Sequence, residues 1–208
     1  MLSEYHQKYA ARSDDQIAAN AFVKEHALRT VFATVGQPRS IAPKVAAAVL
    51  GCADKRFMPH HRRLLEVLFG KPVDMTTFDI TIEHLQGEQG VVQHDATMPL
   101  PGGPFDFVLG DVLVRFASPD RQFFILKNAY DALGPGGMAV FNFARDDFDP
   151  KPGYVPPAGT FPVDFNALQM QLTNAGIQYQ EVPLHFDAPG PDGNKLEIDE
   201  MALVLRKT

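Results

Sequence analysis

Four short apolar runs, each closed by glycine or aspartate, limit what this 208-residue chain can become. They are 44–51 (KVAAAVLG), 73–78 followed by Asp79, 91–94 followed by Asp95, and 105–110 (FDFVLG) followed by Asp111. Runs of that length, apolar without strict alternation, are what strands buried on both faces of a parallel sheet look like. Helix signals lie between them. Ser13 and Gln16 have the spacing of a capping box, and Ile17, Ala21, Leu28, Val31 and Phe32 follow at near-helical intervals. Pro59 opens a second helix, Leu64, Leu65 and Leu68 form its stripe, and Gly70-Lys71-Pro72 ends it. Ser118-Pro119-Asp120 starts a third with a capping hydroxyl, a first-turn proline and an acid. The glycines of 134–137 stop that helix and turn the chain into a fifth strand, 138–144. A helix over 164–175 and two closing strands around the loop 188–194 complete the pattern. The expected fold class is α/β: a single doubly wound, mostly parallel seven-stranded sheet with helices on both faces and an antiparallel C-terminal strand.

In such a sheet, ligands bind beyond the carboxyl ends of the strands. The candidate positions are therefore 51–55, Asp79, Asp95 and Gly110-Asp111. A carboxylate at Asp79 suits a vicinal diol, whose two hydroxyls can donate to its two oxygens, and one at Asp95 can accept from an exocyclic amine. Either aspartate alone is equally a cap for the turn that follows. No G-x-G-x-x-G follows a strand, and neither a Walker loop nor a G-x-S-x-G elbow is present. No histidine pair has metal-ligand spacing, since His60 and His61 are adjacent and diverge on a helix, so no metal is expected. Cys52 reads as a small loop residue, not a nucleophile. A single cysteine excludes an internal disulfide and fits a reducing compartment. The run 41–52 is broken by Lys44 and falls far short of the roughly 20 residues a membrane span needs. With no apolar signal core at the start, a cytoplasmic protein is expected. A net charge of −6 argues against nucleic-acid partners, and Lys55, Arg56, Arg62 and Arg63 read as a solvated helix start.

The segments 91–117 and 120–144 resemble the central part of class I S-adenosylmethionine-dependent methyltransferases. The likeness rests on His94-Asp95-Ala96, Pro99-Leu100-Pro101, Phe105-Asp106-Phe107-Val108-Leu109 and Leu133-Gly134-Pro135-Gly136-Gly137, then Asn174-Ala175-Gly176-Ile177 and the strand 201–208. It runs in order over residues 44–208, leaving 1–43 as a helical segment expected to lie over the site as a lid. The resemblance implies S-adenosylmethionine as cofactor and a small-molecule methyl acceptor. It places Asp79 and Ile80 at the ribose, Asp95 and Ala96 around the adenine, Gly51, Cys52 and Ala53 along the methionine part, and Gly110 nearby. Asp111 is the candidate general base. An Asn/Asp-Pro-Pro-Tyr signature is missing at 109–112, which disfavours nucleic-acid bases as acceptors.

The glycine-rich loop departs from that family's pattern: Val49 stands where an acid is usual, and Ala53 and Lys55 stand where glycines are. Lys55 is expected to strain the loop and to repel a sulfonium, unless it pairs with the ligand's carboxylate. Asp54 is expected to replace the lost acid. The same departure supports an alternative, a non-catalytic member of the fold acting as a ligand-binding or scaffold module. Segments 5–32 and 149–162 are expected to set specificity.

Overall fold

A computed structural model describes residues 4–39, 42–190 and 194–208. Helices α1 (Glu4–Ala10) and α2 (Asp14–Val35) precede β1 (Val45–Leu50), α3 (Phe57–Phe69), β2 (Val73–Asp79), β3 (Val91–Gln93) and β4 (Phe105–Asp111). Then come α4 (Pro119–Asp131), β5 (Leu133–Ala144), the single turn α5 (Arg145–Phe148), α6 (Phe165–Asn174), β6 (Tyr179–Pro189) and β7 (Lys195–Arg206). The seven strands order as β3-β2-β1-β4-β5-β7-β6. Strands β1 to β5 are parallel neighbours, and β7 runs antiparallel to both β5 and β6. The strand order reverses between β1 and β4, which opens a crevice at their carboxyl ends.

Alternation along each strand divides the core in two. Val45, Ala47 and Val49 of β1, with Phe107, Leu109, Met138 and Val140, meet α2 and α3 on one face. Ala48 and Leu50, with Val108, Phe141 and Phe143, meet α4 and α6 on the other. Asp106 is part-buried, and its Oδ2 accepts the Ala46 amide at 2.9 Å, holding β1 and β4 together just before their pairing begins.

The capping box at α2 forms in both directions, Gln16 N to Ser13 Oγ at 3.3 Å and Ser13 N to Gln16 Oε1 at 3.0 Å. Ser118 does not cap α4 through its hydroxyl, which makes no cap hydrogen bond; its carbonyl accepts the amides of Arg121 and Gln122 instead. The glycines at 134–137 do not end β5's predecessor in a free turn. They form a bulge inside β5, with Phe105 opposite Leu133 and Phe107 opposite Met138. A Cβ on Gly137 would lie 2.8 Å from the Gly134 carbonyl oxygen and 2.9 Å from that of Phe105, so no side chain fits there. Of the loop read over 188–194, residues 191–193 lie outside the described residues.

Candidate functional site

Beyond the carboxyl ends of β1, β2, β3 and β4 lies a cavity of about 470 Å³. Its floor is built by chain turns. Gly51 leaves β1 at φ +76°, a left-handed conformation that glycine takes without steric cost. The next amide, Cys52 N, donates to Asp79 Oδ2 at 2.9 Å, while Thr81 N donates to Oδ1 at 3.0 Å. Asp79 is thus fixed by two backbone amides and only 6% exposed. Each oxygen keeps a further lone-pair direction.

After β3, Asp95 Oδ1 accepts from Thr97 N at 2.9 Å and Thr97 Oγ1 at 2.7 Å, and Arg121 of α4 reaches Oδ2 at 3.1 Å. Burial pushes this carboxyl up, but the Thr97 hydrogen bonds and the Arg121 charge outweigh it and hold Asp95 below the usual range. After β4, Asp111 Oδ2 pairs with Lys24 Nζ at 2.5 Å, and Oδ1 accepts from Asn142 Nδ2 at 3.1 Å. Burial raises Asp111, and the Lys24 charge more than offsets it. The following residue, Val112, has φ +49°, the one non-glycine among the described residues in the left-handed region. A β-branched residue there is strained. Its amide bond to the Asn142 carbonyl, 3.0 Å, pins the chain as it leaves β4.

The roof comes from distant segments. Tyr5 and His6 of α1 and Lys24 of α2 line the cavity, as does Phe161 from the loop before α6. That loop is held where Phe161 N donates to the Arg115 carbonyl at 2.7 Å and Gln122 Nε2 to the Pro162 carbonyl at 2.9 Å. Tyr5 packs edge-on against Phe116, with centroids 4.7 Å apart. His6 stacks on His84, with ring centroids 4.0 Å apart and planes at 32°. One ligand atom each from His6, Asp79 and His84 lie within 4.8 Å of one another. Sequence spacing gave no hint of this cluster, because the two histidines meet only through the fold. His84 Nε2 lies 2.6 Å from the Cys52 carbonyl oxygen and its Nδ1 is buried without a hydrogen-bond partner, so the two imidazoles form a wall beside the Asp79 carboxylate.

Of the residues expected at the site, Gly51, Cys52, Ala53, Asp79, Ile80, Asp95, Ala96 and Asp111 line this one cavity. Two others do not. Asp54 is a strut: its Oδ1 accepts from Arg56 N and Nε, both at 2.9 Å, and its Oδ2 from Arg56 Nη2 at 2.8 Å. These bonds hold the Asp54 carboxyl below its ordinary range, and Arg56 extends to the carbonyls of Tyr9 and Arg12 and to Asp14. Gly110 is small for packing, since a Cβ there would lie 2.5 Å from the Phe141 ring. Lys55 is exposed, has no positive φ and lies off the cavity wall. The cations that do line the cavity are Lys24 and Arg121. The Cys52 thiol is buried and pushed up to about 12 by burial, partly offset by the Lys24 charge, so it is no thiolate near neutral pH.

This fold, with its cavity at the point of strand reversal, is the fold of class I S-adenosylmethionine-dependent methyltransferases. Solved methyltransferase structures share this fold. N-methyltransferase NodS from Bradyrhizobium japonicum WM9, in complex with S-adenosyl-L-homocysteine, is 17% identical with a TM-score of 0.55, covering 99% of both chains. Magnesium protoporphyrin IX methyltransferase (ChlM) from Synechocystis PCC 6803, with bound S-adenosylmethionine, is 11% identical with a TM-score of 0.55, covering 100% of this chain and 86% of that one. A putative class I S-adenosylmethionine-dependent methyltransferase from Listeria monocytogenes is 14% identical with a TM-score of 0.56, covering 100% of this chain and 63% of that one. No family model and no curated protein matches the sequence. Among the described residues, no helix is long and apolar enough to cross a membrane.

Proposed function

We propose that this chain is an S-adenosylmethionine-dependent methyltransferase acting on a small molecule. The observation that carries the reading is the pair of carboxylates, Asp79 and Asp95, at the ends of neighbouring strands on one cavity wall. The residues present fit the cofactor. Asp79 retains acceptor capacity for the ribose hydroxyls, beside His6 and His84. Asp95 and Ala96 suit the adenine, and the Gly51–Cys52–Ala53 backbone suits the methionine part. When bound, the cofactor supplies an electrophilic methyl group on a sulfonium. The protein then has to orient the acceptor and exclude water, because an in-line displacement depends mainly on alignment. Tyr5, Phe116 and Phe161 line the cavity beside Asp111; they would wall the acceptor, and Asp111 would be the carboxylate that takes its proton once Lys24 is displaced.

The loop departure that would favour a scaffold loses its main ground, because Lys55 is exposed and off the cavity wall and Ala53 lies on the wall without left-handed strain. Isothermal titration with S-adenosylhomocysteine tests the reading. Binding in the micromolar range, about −8 kcal/mol, is expected. At ~100 times the dissociation constant it should stabilise the fold by about 2.7 kcal/mol. No heat, with an unchanged melting temperature at millimolar ligand, would return the weight to a binding or scaffold module that takes something else.

A further inference from the structure

Behind the Lys24–Asp111 pair the fold has collected polar groups that lack partners. His61 of α3 is 3% exposed, and neither ring nitrogen has a hydrogen-bond partner. Asn142 of β5 is 2% exposed; its amide nitrogen serves Asp111, while its Oδ1 has no partner. Burial, with the Lys24 charge beside it, pushes the His61 imidazole down to about 3 and keeps it neutral, with one bare lone pair. Glu200 of β7 faces the same cluster, and its charge and that of Asp111 act on each other. Unspent acceptors therefore outnumber donors, and the cation present is Lys24, whose Nζ also lies 4.8 Å over the Phe57 ring. Lys24 and Asp111 both line the cavity, with side chains 19% and 20% exposed, so an entering molecule can reach them. A buried ion pair contributes little to stability compared with apolar packing. What this one does is keep an ammonium, over an aromatic face, on the carboxylate of the acceptor side.

We propose that Asp111, backed by Asn142 and His61, is the seat for a primary or secondary aliphatic amine on the methyl acceptor, which enters as the ammonium, displaces the Lys24 ammonium that holds the seat, and gives one proton to the Asp111 carboxylate so that the freed nitrogen lone pair can take the methyl group. The inference rests on the transferase reading and names its substrate class. An ammonium brings several donors and a positive charge to Asp111, the one carboxylate of this cluster that lines the cavity. An alcohol brings one donor and no charge, and a carboxylate would be repelled. The exocyclic amino group of a nucleic-acid base, uncharged at neutral pH, does not fit.

The test is binding of n-butylammonium against 1-butanol, by calorimetry and melting temperature, to protein saturated with S-adenosylhomocysteine. Wild type should prefer the ammonium over the alcohol. Lys24→Met fills the volume of the lysine without its charge and makes no hole for the probe. Removing the internal competitor should tighten butylammonium by about tenfold while leaving the alcohol unchanged. S-adenosylhomocysteine should bind the variant as it binds wild type, and Lys24→Met/Asp111→Asn should lose the ammonium preference. If Lys24→Met folds poorly, the ammonium-over-alcohol preference of wild type decides alone. Equal binding of the two probes with S-adenosylhomocysteine bound makes the pair a structural strut and overturns the proposal. Loss of S-adenosylhomocysteine binding in Lys24→Met also overturns it, since Lys24 then serves the cofactor. If wild type binds no S-adenosylhomocysteine at all, the transferase reading fails first, and this inference fails with it.

Discussion

At Asp79 each carboxylate oxygen already holds one backbone amide, so replacing the side chain frees two amides and removes the acceptors facing the cavity. Asp79→Ala is expected to weaken S-adenosylhomocysteine binding by about 1.5–3 kcal/mol, the range for hydrogen bonds to a charged group. Titration of the folded variant measures it; normal affinity in a protein that melts much earlier would make Asp79 a turn cap only. Gly110 makes the opposite case. Its Cβ would meet both Cδ1 and Cε1 of Phe141 at 2.5 Å, within a sheet packed on both faces. Gly110→Ala should cost about 1–3 kcal/mol of stability through overpacking. A urea titration should show this as a lower midpoint at constant slope. Asp79, Asp95 and Asp111 were legible in the sequence because each directly follows an apolar run, and a strand end is a local fact. Gly110 and Asp54 sit next to such positions but take their roles from Phe141 and Arg56, which spacing cannot assign.

Among the elements, β1 to β5 were readable from apolar runs and helix punctuation; the segments 1–43 and 149–162 were expected over the site, but which of their residues reach the cavity was not readable. Lys24, Tyr5 and His6 reach the cavity because α1 and α2 cross the sheet face, and nothing within 1–35 encodes that crossing locally. The tie that sets it is Arg56, whose guanidinium joins Asp54 below to Tyr9, Arg12 and Asp14 above. Its side chain is 30% exposed, and Asp54 is 8% exposed. Arg56→Ala should therefore destabilise the protein by about 1.5–3 kcal/mol, with a buried carboxylate left unpaired. Hydrogen exchange should rise first in residues 4–12 and 51–56; exchange spread evenly over the sheet would mean that Arg56 supports the core, not the roof.

For the whole molecule, the buried His61 and the half-buried Glu200 pull the pH profile of stability in opposite directions. His61 is depressed to about 3 in the fold from 6.5, so the unfolded chain binds more protons between those values and stability rises with pH there. Glu200 is raised to about 7 from 4.5, chiefly by burial and then by the Asp111 charge, so stability falls as pH rises across that window. Between 4.5 and 6.5 the two slopes largely cancel. Glu200→Gln should therefore stabilise the protein at pH 8 by about 1–3 kcal/mol and change little at pH 4. Denaturation at the two pH values checks this; an equal effect at both would place Glu200 in ordinary packing. Strand β7 pairs with β5 on one side and β6 on the other, and Arg206 at its end binds the carbonyls of Val35 and Gly36 at the close of α2. During vectorial synthesis the helix carrying Lys24 is made early, yet the residue that fastens its far end is among the last of the sheet to emerge. Until then β5 and β6 share no neighbour. The nascent chain can therefore order the crevice between β1 and β4 well before the helix that carries Lys24 is fastened at its far end.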